Sequence, residues 1–298
     1  MGIFFSVMLP VIAVFAAGFL LQRIRLVDIK SVAAVSIYIF MPALFFTSLY
    51  EAEYDQQYTV MIVSIFFILF MMILLSKILA RIFKWSTSVE SASILSTAFM
   101  NGGNYGIPVI LFSLGKEALP FAVFYMIMQS LVINFFGVYY ASRGSTGVMK
   151  GIKKVFLMPG TWAAIIAFLC KGLNVELPEG VYSTIKMVSE GSIPLMMIIL
   201  GMQLANIKSL QFNWQVLTSA VTIRMFISPL LAFGFITVLQ LDPIVGGVIL
   251  VMSAMPSAAS AAMYAIEFDT EPEIVSSAML VTTLVSFISI TVLLNILA

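Results

Sequence analysis

Apolar runs of membrane length recur along the whole chain, separated by short polar breaks. Windows of about twenty residues mark spans at 3–21, 32–50, 59–80, 91–113, 120–140, 155–173, 184–205, 214–240, 244–266 and 274–297. Helices of that length cross the hydrocarbon core of a bilayer, so the pattern predicts an all-α membrane protein of ten transmembrane helices. Two spans are not apolar throughout. Span 4 carries Asn101-Gly102-Gly103-Asn104-Tyr105-Gly106-Ile107-Pro108 at its centre, and span 9 carries Ser253-Ala254-Met255-Pro256-Ser257-Ala258-Ala259-Ser260. Such breaks leave backbone N–H and C=O groups without helical partners, which in hydrocarbon costs several kcal/mol per group unless protein, water or a ligand satisfies them. Both helices are therefore expected to be broken at mid-depth around a lined cavity. Pro108 and Pro256 suit the first turn of a restarting half-helix, where the missing N–H costs nothing. Each restart aims a positive dipole end and free N–H groups at the membrane centre.

The prolines also point to an internal repeat. Pro10, Pro42 and Pro108 are matched by Pro159, Pro194 and Pro256 at offsets of 149, 152 and 148, and Phe19-Leu20 falls on Phe168-Leu169. Five spans per half is an odd number, so related halves are inverted in the membrane, as in secondary transporters with paired discontinuous helices and a midplane site. The expected organisation is a first repeat over 1–140, a cytoplasmic loop over 141–154 and a second repeat over 155–298.

Charge sets the expected orientation. Eleven of fifteen basic residues follow odd-numbered spans, namely Arg23, Arg25, Lys30, Lys77, Arg81, Lys84, Arg143, Lys150, Lys153, Lys154 and Lys208, whereas the even-numbered loops hold Lys116 and Lys171. Basic loops stay cytoplasmic, so a multi-pass protein of the plasma (inner) membrane with both termini outside is expected. The acidic loop of Glu267, Asp269, Glu271 and Glu273 runs against this trend, but acids weigh little in it. The first span lacks a basic leader and a small-residue cleavage site, and reads as a retained helix, not a signal peptide.

Composition narrows the function. The chain is 61% hydrophobic, against roughly 45–50% for a soluble domain. A net charge of +1 without a basic tail argues against nucleic acid; the bilayer is the partner. Histidine is absent and Cys170 is alone, which removes Ser-His-Asp, Cys-His and histidine-based zinc chemistry. Asp28, Asp55, Asp242 and Asp269 fall in loops or at span ends, so no paired intramembrane aspartates exist, and no Gly-Lys-Ser/Thr follows Gly102-Gly103 to make a phosphate loop. Neither an enzyme nor a metal or cofactor site is expected.

The candidate substrate contacts cluster at the breaks: Asn101, Gly102, Gly103, Asn104, Tyr105 and Pro108 in span 4, with Met255, Pro256, Ser257 and Ser260 in span 9. Amide side chains donate to a carboxylate without the cost of burying a lysine. The small residues of span 9 also suit close helix packing. In span 5, Gln129 and Asn134 are strongly polar within an apolar stretch, and interhelical hydrogen bonding is the other reading there. Arg224 in span 8 is eleven residues past Asn213 and seventeen before Leu241, too deep to reach either surface easily, so it needs a partner. Glu190 near the start of span 7 is the nearest intramembrane carboxylate, with Lys186 one turn earlier as its competing partner. Arg224 and Glu190 are candidate structural or gating charges.

The span 4 motif Asn-x-x-Asn-Tyr-Gly-x-Pro, preceded by Phe-Met and matched by Met-Pro-Ser-Ala in span 9, resembles the auxin efflux carrier family, which includes plant auxin carriers and prokaryotic carriers of malate, malonate and similar carboxylates. The resemblance implies a scaffold of spans 1, 2, 6 and 7, a transport unit of spans 3–5 and 8–10 with crossing broken helices, elevator-like movement and a homodimer. It also implies a support site at Gln129 and Asn134. Two features depart from plant members: the central loop is only Ala141 to Lys154, and Met100 stands where those sequences tend to have proline. The reading is a secondary-active or facilitative transporter of small organic anions with a midplane site at the span 4/9 crossover. A channel-like or sensory protein using the same cavity without alternating access is the alternative.

Overall fold

The computed structural model describes residues 2, 4–53, 55–142, 157–207 and 212–297. Among them, seven helices are long and apolar enough to cross a membrane: α1 (Phe4–Arg25), α2 (Ile29–Tyr50), α3 (Gln56–Ile82), α5 (Lys116–Ser142), α7 (Glu179–Ala205), α8 (Trp214–Leu239) and α10 (Pro272–Ile296). Helix α6 (Pro159–Gly172) is shorter. Spans 4 and 9 come as pairs of half-helices, α4a (Thr87–Ala98) with α4b (Ile107–Leu114), and α9a (Pro243–Ser253) with α9b (Ala259–Glu267). The chain is thus an all-α membrane protein. Arg143, Lys150, Lys153, Lys154 and Lys208, which carry much of the expected orientation, lie outside the described residues, as does nearly all of the 141–154 loop.

Three of the aspartates in loops or at span ends, Asp28, Asp55 and Asp242, start helices. Asp28 accepts the N–H groups of Lys30 and Ser31 at 3.2 Å and the Ser31 hydroxyl at 2.6 Å. That hydroxyl, with the backbone N–H donors, holds the Asp28 carboxyl below its ordinary pKa. Asp55 accepts Gln57 N–H at 2.9 Å before α3, and Asp242 accepts Ile244 N–H at 2.9 Å before α9a. These are N-caps, satisfying donors that the first turn leaves free.

Two groups of helices emerge from the packing. Helix α1 lies along α7 and α6 lies along α2, whereas α3 packs on α4a, α8 on α9a and α10, and α9b on α10. The first group is fastened near Tyr50, whose hydroxyl donates to Val175 C=O at 3.0 Å and accepts from Leu177 N–H at 3.3 Å, and by a Thr47–Ser189 hydroxyl contact at 2.8 Å. The α1–α7 crossing is closest at Gly18 and Gly201, where a Cβ would stand 2.2 Å from Ile198 C=O and 2.0 Å from Phe15 C=O. Only glycine lets two backbones approach so closely.

Gly201→Ala should therefore push α1 off α7, at roughly 1–3 kcal/mol for the forced backbone shift, while Gly234→Ala, with nothing within 4 Å of the new methyl, should be neutral. Thermal unfolding of the two purified variants in detergent checks this, and equal melting temperatures would remove the crossing as a structural constraint.

Candidate functional site

The two breaks meet and pair. Phe99 and Ala258 leave the helix with extended backbone, Met100 and Ser257 form an antiparallel bridge, Asn101 N–H donates to Pro256 C=O at 2.8 Å and Ala258 N–H to Phe99 C=O at 3.0 Å. A two-stranded contact at the crossover thus satisfies groups that broken helices leave open. Ser257 adds side-chain closure: its hydroxyl donates to Ser96 C=O, and its N–H donates to Thr282 Oγ1 at 3.2 Å.

Arg224 supplies the rest. It is 1% exposed and sits in a π-helical turn, Ile223–Ile227. Its Nε donates to Met255 C=O at 2.9 Å, Nη1 to Thr97 C=O at 2.8 Å and Nη2 to Ser253 C=O at 2.9 Å. Ser228 Oγ donates to Ser253 C=O as well, at 2.8 Å. The guanidinium therefore caps the C-terminal ends of α4a and α9a together. Each end carries about half a negative charge, so two of them balance one arginine. Glu190 is not its partner; that carboxylate is exposed. Nor does Lys186 pair with Glu190, since its ammonium meets Glu51 Oε1 at 3.2 Å, where the Tyr182 hydroxyl also donates.

The N-terminal sides of the breaks face a cavity of about 240 Å³ between the two helix groups. Asn101, Gly102, Gly103, Asn104, Gln129 and Ser260 all line it. Gly102–Gly106 forms a π-helical turn leading into α4b, closed by Gly106 N–H to Asn101 C=O at 3.0 Å. Asn101 is 6% exposed and its Nδ2 has no hydrogen-bond partner; a buried unpaired amide donor costs about 1–3 kcal/mol. Opposite, α7 contributes Gln203, whose Oε1 is likewise buried and unpartnered. Among the described residues, no Lys, Arg, Asp or Glu lines this cavity.

Other sequence candidates lie off its wall. Tyr105 is fully buried, its hydroxyl 3.0 Å from Ser286 Oγ and its ring edge-on to Phe15 and Phe287. Pro108 is buried at the start of α4b. Pro256 does not open a half-helix; it sits three residues before α9b, in the extended pairing segment, where its carbonyl serves Asn101 and the preceding Met255 carbonyl serves Arg224. Asn134 borders a smaller adjoining cavity of about 70 Å³, with Nδ2 donating to Ser130 C=O at 2.7 Å and Oδ1 accepting from Tyr264. That is the interhelical bonding the sequence left open. Conversely, Ser36 and Gln203 line the crossover cavity unanticipated. Gln203 carried a signal, a lone amide in the apolar end of span 7.

A bundle of apolar helices with two of them broken around a polar cavity is the architecture of a multi-pass membrane transport protein. A family model described as membrane transport protein matches residues 3–146 and 141–294, and the chain belongs to this family, that of the auxin efflux carriers. An uncharacterized transporter of Methanothermobacter thermautotrophicus is 28% identical over 291 residues, covering 95% of this chain and 94% of its own length. A second, from Methanocaldococcus jannaschii, is 27% identical over 267 residues, covering 86% and 85%.

Removing the guanidinium leaves the buried carbonyls of Thr97 and Met255 without their donor, each about 1–3 kcal/mol, and leaves Ser253 C=O with the Ser228 hydroxyl. Arg224→Ala should express poorly and melt well below the wild type. Arg224→Lys should recover only part of the loss, because one ammonium restores the charge but not the fork. A fully stable Arg224→Ala protein with weakened substrate binding would move the residue from clamp to ligand.

Proposed function

We propose that this membrane transporter carries small organic anions, with the substrate carboxylate held in the crossover cavity by Asn101, Asn104 and the half-helix N-termini at Gly102 and Ala259. The observation that carries the reading is the buried, unpartnered Asn101 Nδ2 of a residue on a cavity wall that has no charged side chain among the described residues. Two helix N-termini together present about one positive charge, enough for one carboxylate without a lysine. Gln129, Gln203, Ser36 and Ser260 offer further polar contacts, and Met41, Met126 and Met158 pack the remainder.

The proposed topology is ten crossings in two inverted repeats, 1–140 and 155–298, in a plasma membrane with both termini outside. In support, the pairs α1–α7 and α2–α6 exchange under the repeat offsets. The separation into two helix groups with the cavity between them supports elevator-type alternating access, and the family resemblance supports a homodimer. A channel-like use of the cavity is the second reading; saturable counterflow favours the carrier.

Orientation is checked by labelling in a Cys170→Ala background: Gln56→Cys should react from outside and Lys84→Cys only after permeabilisation, and the reverse pattern overturns the assigned sides. Coupling is expected without a strict sodium requirement, because no Asp or Glu among the described residues lines the cavity; loss of uptake when choline replaces sodium at fixed pH and potential would contradict that.

The site is tested by a thermal-shift screen of mono- and dicarboxylates, malate and malonate included, followed by calorimetry on variants. Asn101→Ala and Asn104→Ala should each lose roughly ten- to a hundred-fold in affinity while remaining folded. Asn101→Asp should be worse, facing the anion with a like charge. Folded variants that bind within about two-fold of the wild type would make the crossover a packing feature.

A further inference from the structure

A second cavity, about 390 Å³, lies between the same helix groups at the opposite ends of α2 and α7. Parts of its walls correspond to parts of the crossover cavity's walls. The offset that aligns Pro42 with Pro194 carries Ile37, Met41, Ile199 and Gln203 onto Ser189, Ile193, Thr47 and Glu51; the first four line one cavity and the second four the other. The offset that aligns Pro108 with Pro256 carries Ala259 and Ser260 onto Leu111 and Phe112, again one pair on each wall. Those offsets come from prolines alone, so the match of cavity walls is independent of them.

We infer that this second cavity is the far-side half-site for the transported anion, and that Lys186 and Glu51 set its affinity for negative groups. The inference rests on the crossover reading and deepens it. The correspondence exchanges the neutral amide of Gln203 for the carboxylate of Glu51, which alone would repel an anion. Here it is held by two donors, the Lys186 ammonium at 3.2 Å and the Tyr182 hydroxyl. An ammonium has three protons, so Lys186 keeps donors for an incoming carboxylate while masking Glu51. The other charged groups on this wall are Lys116 and Glu190, from α5 and α7. The two half-sites therefore differ in chemistry, amide on the basic side and ion pair on the far side.

Charged thiol reagents test this without a known substrate. In a Cys170→Ala background, Asn104→Cys protein in sealed vesicles is exposed from the far side to membrane-impermeant sulfonatoethyl and trimethylammonioethyl methanethiosulfonates. The thiol should react from that side, and the anionic-to-cationic rate ratio should fall about three-fold or more with Lys186→Gln and rise comparably with Glu51→Gln. The ratio measured from the basic side should not change. Ser260→Cys repeats the measurement if Asn104→Cys folds poorly. Absence of far-side reaction at both positions, or a far-side ratio indifferent to Lys186, overturns the inference. The crossover reading is judged separately, by carboxylate binding to the Asn101 variants.

Discussion

A helix broken at the depth of a bilayer's centre exposes carbonyls on one side of the break and N–H groups on the other, where water is scarce. The crossover resolves the two sides differently. The carbonyl ends of α4a and α9a are gathered by one guanidinium, Arg224, and the intervening residues pair as a two-residue strand contact. The N-terminal ends are left facing a cavity. Side chains thus gather carbonyls on the negative side, while the positive side borders the cavity. That asymmetry underlies the proposal that an anion binds there, since no cationic side chain among the described residues lines the cavity.

The clamp also ties three helices into one body. Arg224 comes from α8 and reaches Thr97 of α4a together with Ser253 and Met255 around the end of α9a, so neither break can open without breaking the other's bonds. Tyr264 and Asn134 join α9b to α5, and Thr270 donates to Ala141 C=O at the end of α5. By contrast, the first helix group is held by close backbone contact at Gly18 and Gly201 and by a small set of hydroxyl contacts such as Thr47–Ser189. The two groups are thus held by different means, with cavities along their mutual surface.

Electrostatics is shared unevenly along that surface. Helix dipoles and amides face the crossover cavity, while the far cavity carries lysines and glutamates near the bundle's end. Charge at the deep position would bear the full cost of desolvation. Nearer water, Lys186 and Glu51 remain half exposed, at 51% each.

What the sequence determined was local or periodic. Span lengths follow from unbroken apolar runs, and the two breaks from glycine, proline and amide density. What only the tertiary structure decided involved partners far apart in the chain. Arg224 found carbonyls instead of a carboxylate, and backbone acceptors leave no trace in residue types. Gln129 and Asn134 are five residues apart on one helix and so face different sides of it; one lines the cavity and the other bonds to Tyr264. Lys186 chose Glu51, 135 residues away, over Glu190 on its own helix, and Gln203 became a cavity residue because α7 packs on α1 through two glycines. Propensity and hydrophobicity act over a few residues, whereas these choices depend on which faces two helices present after they have packed.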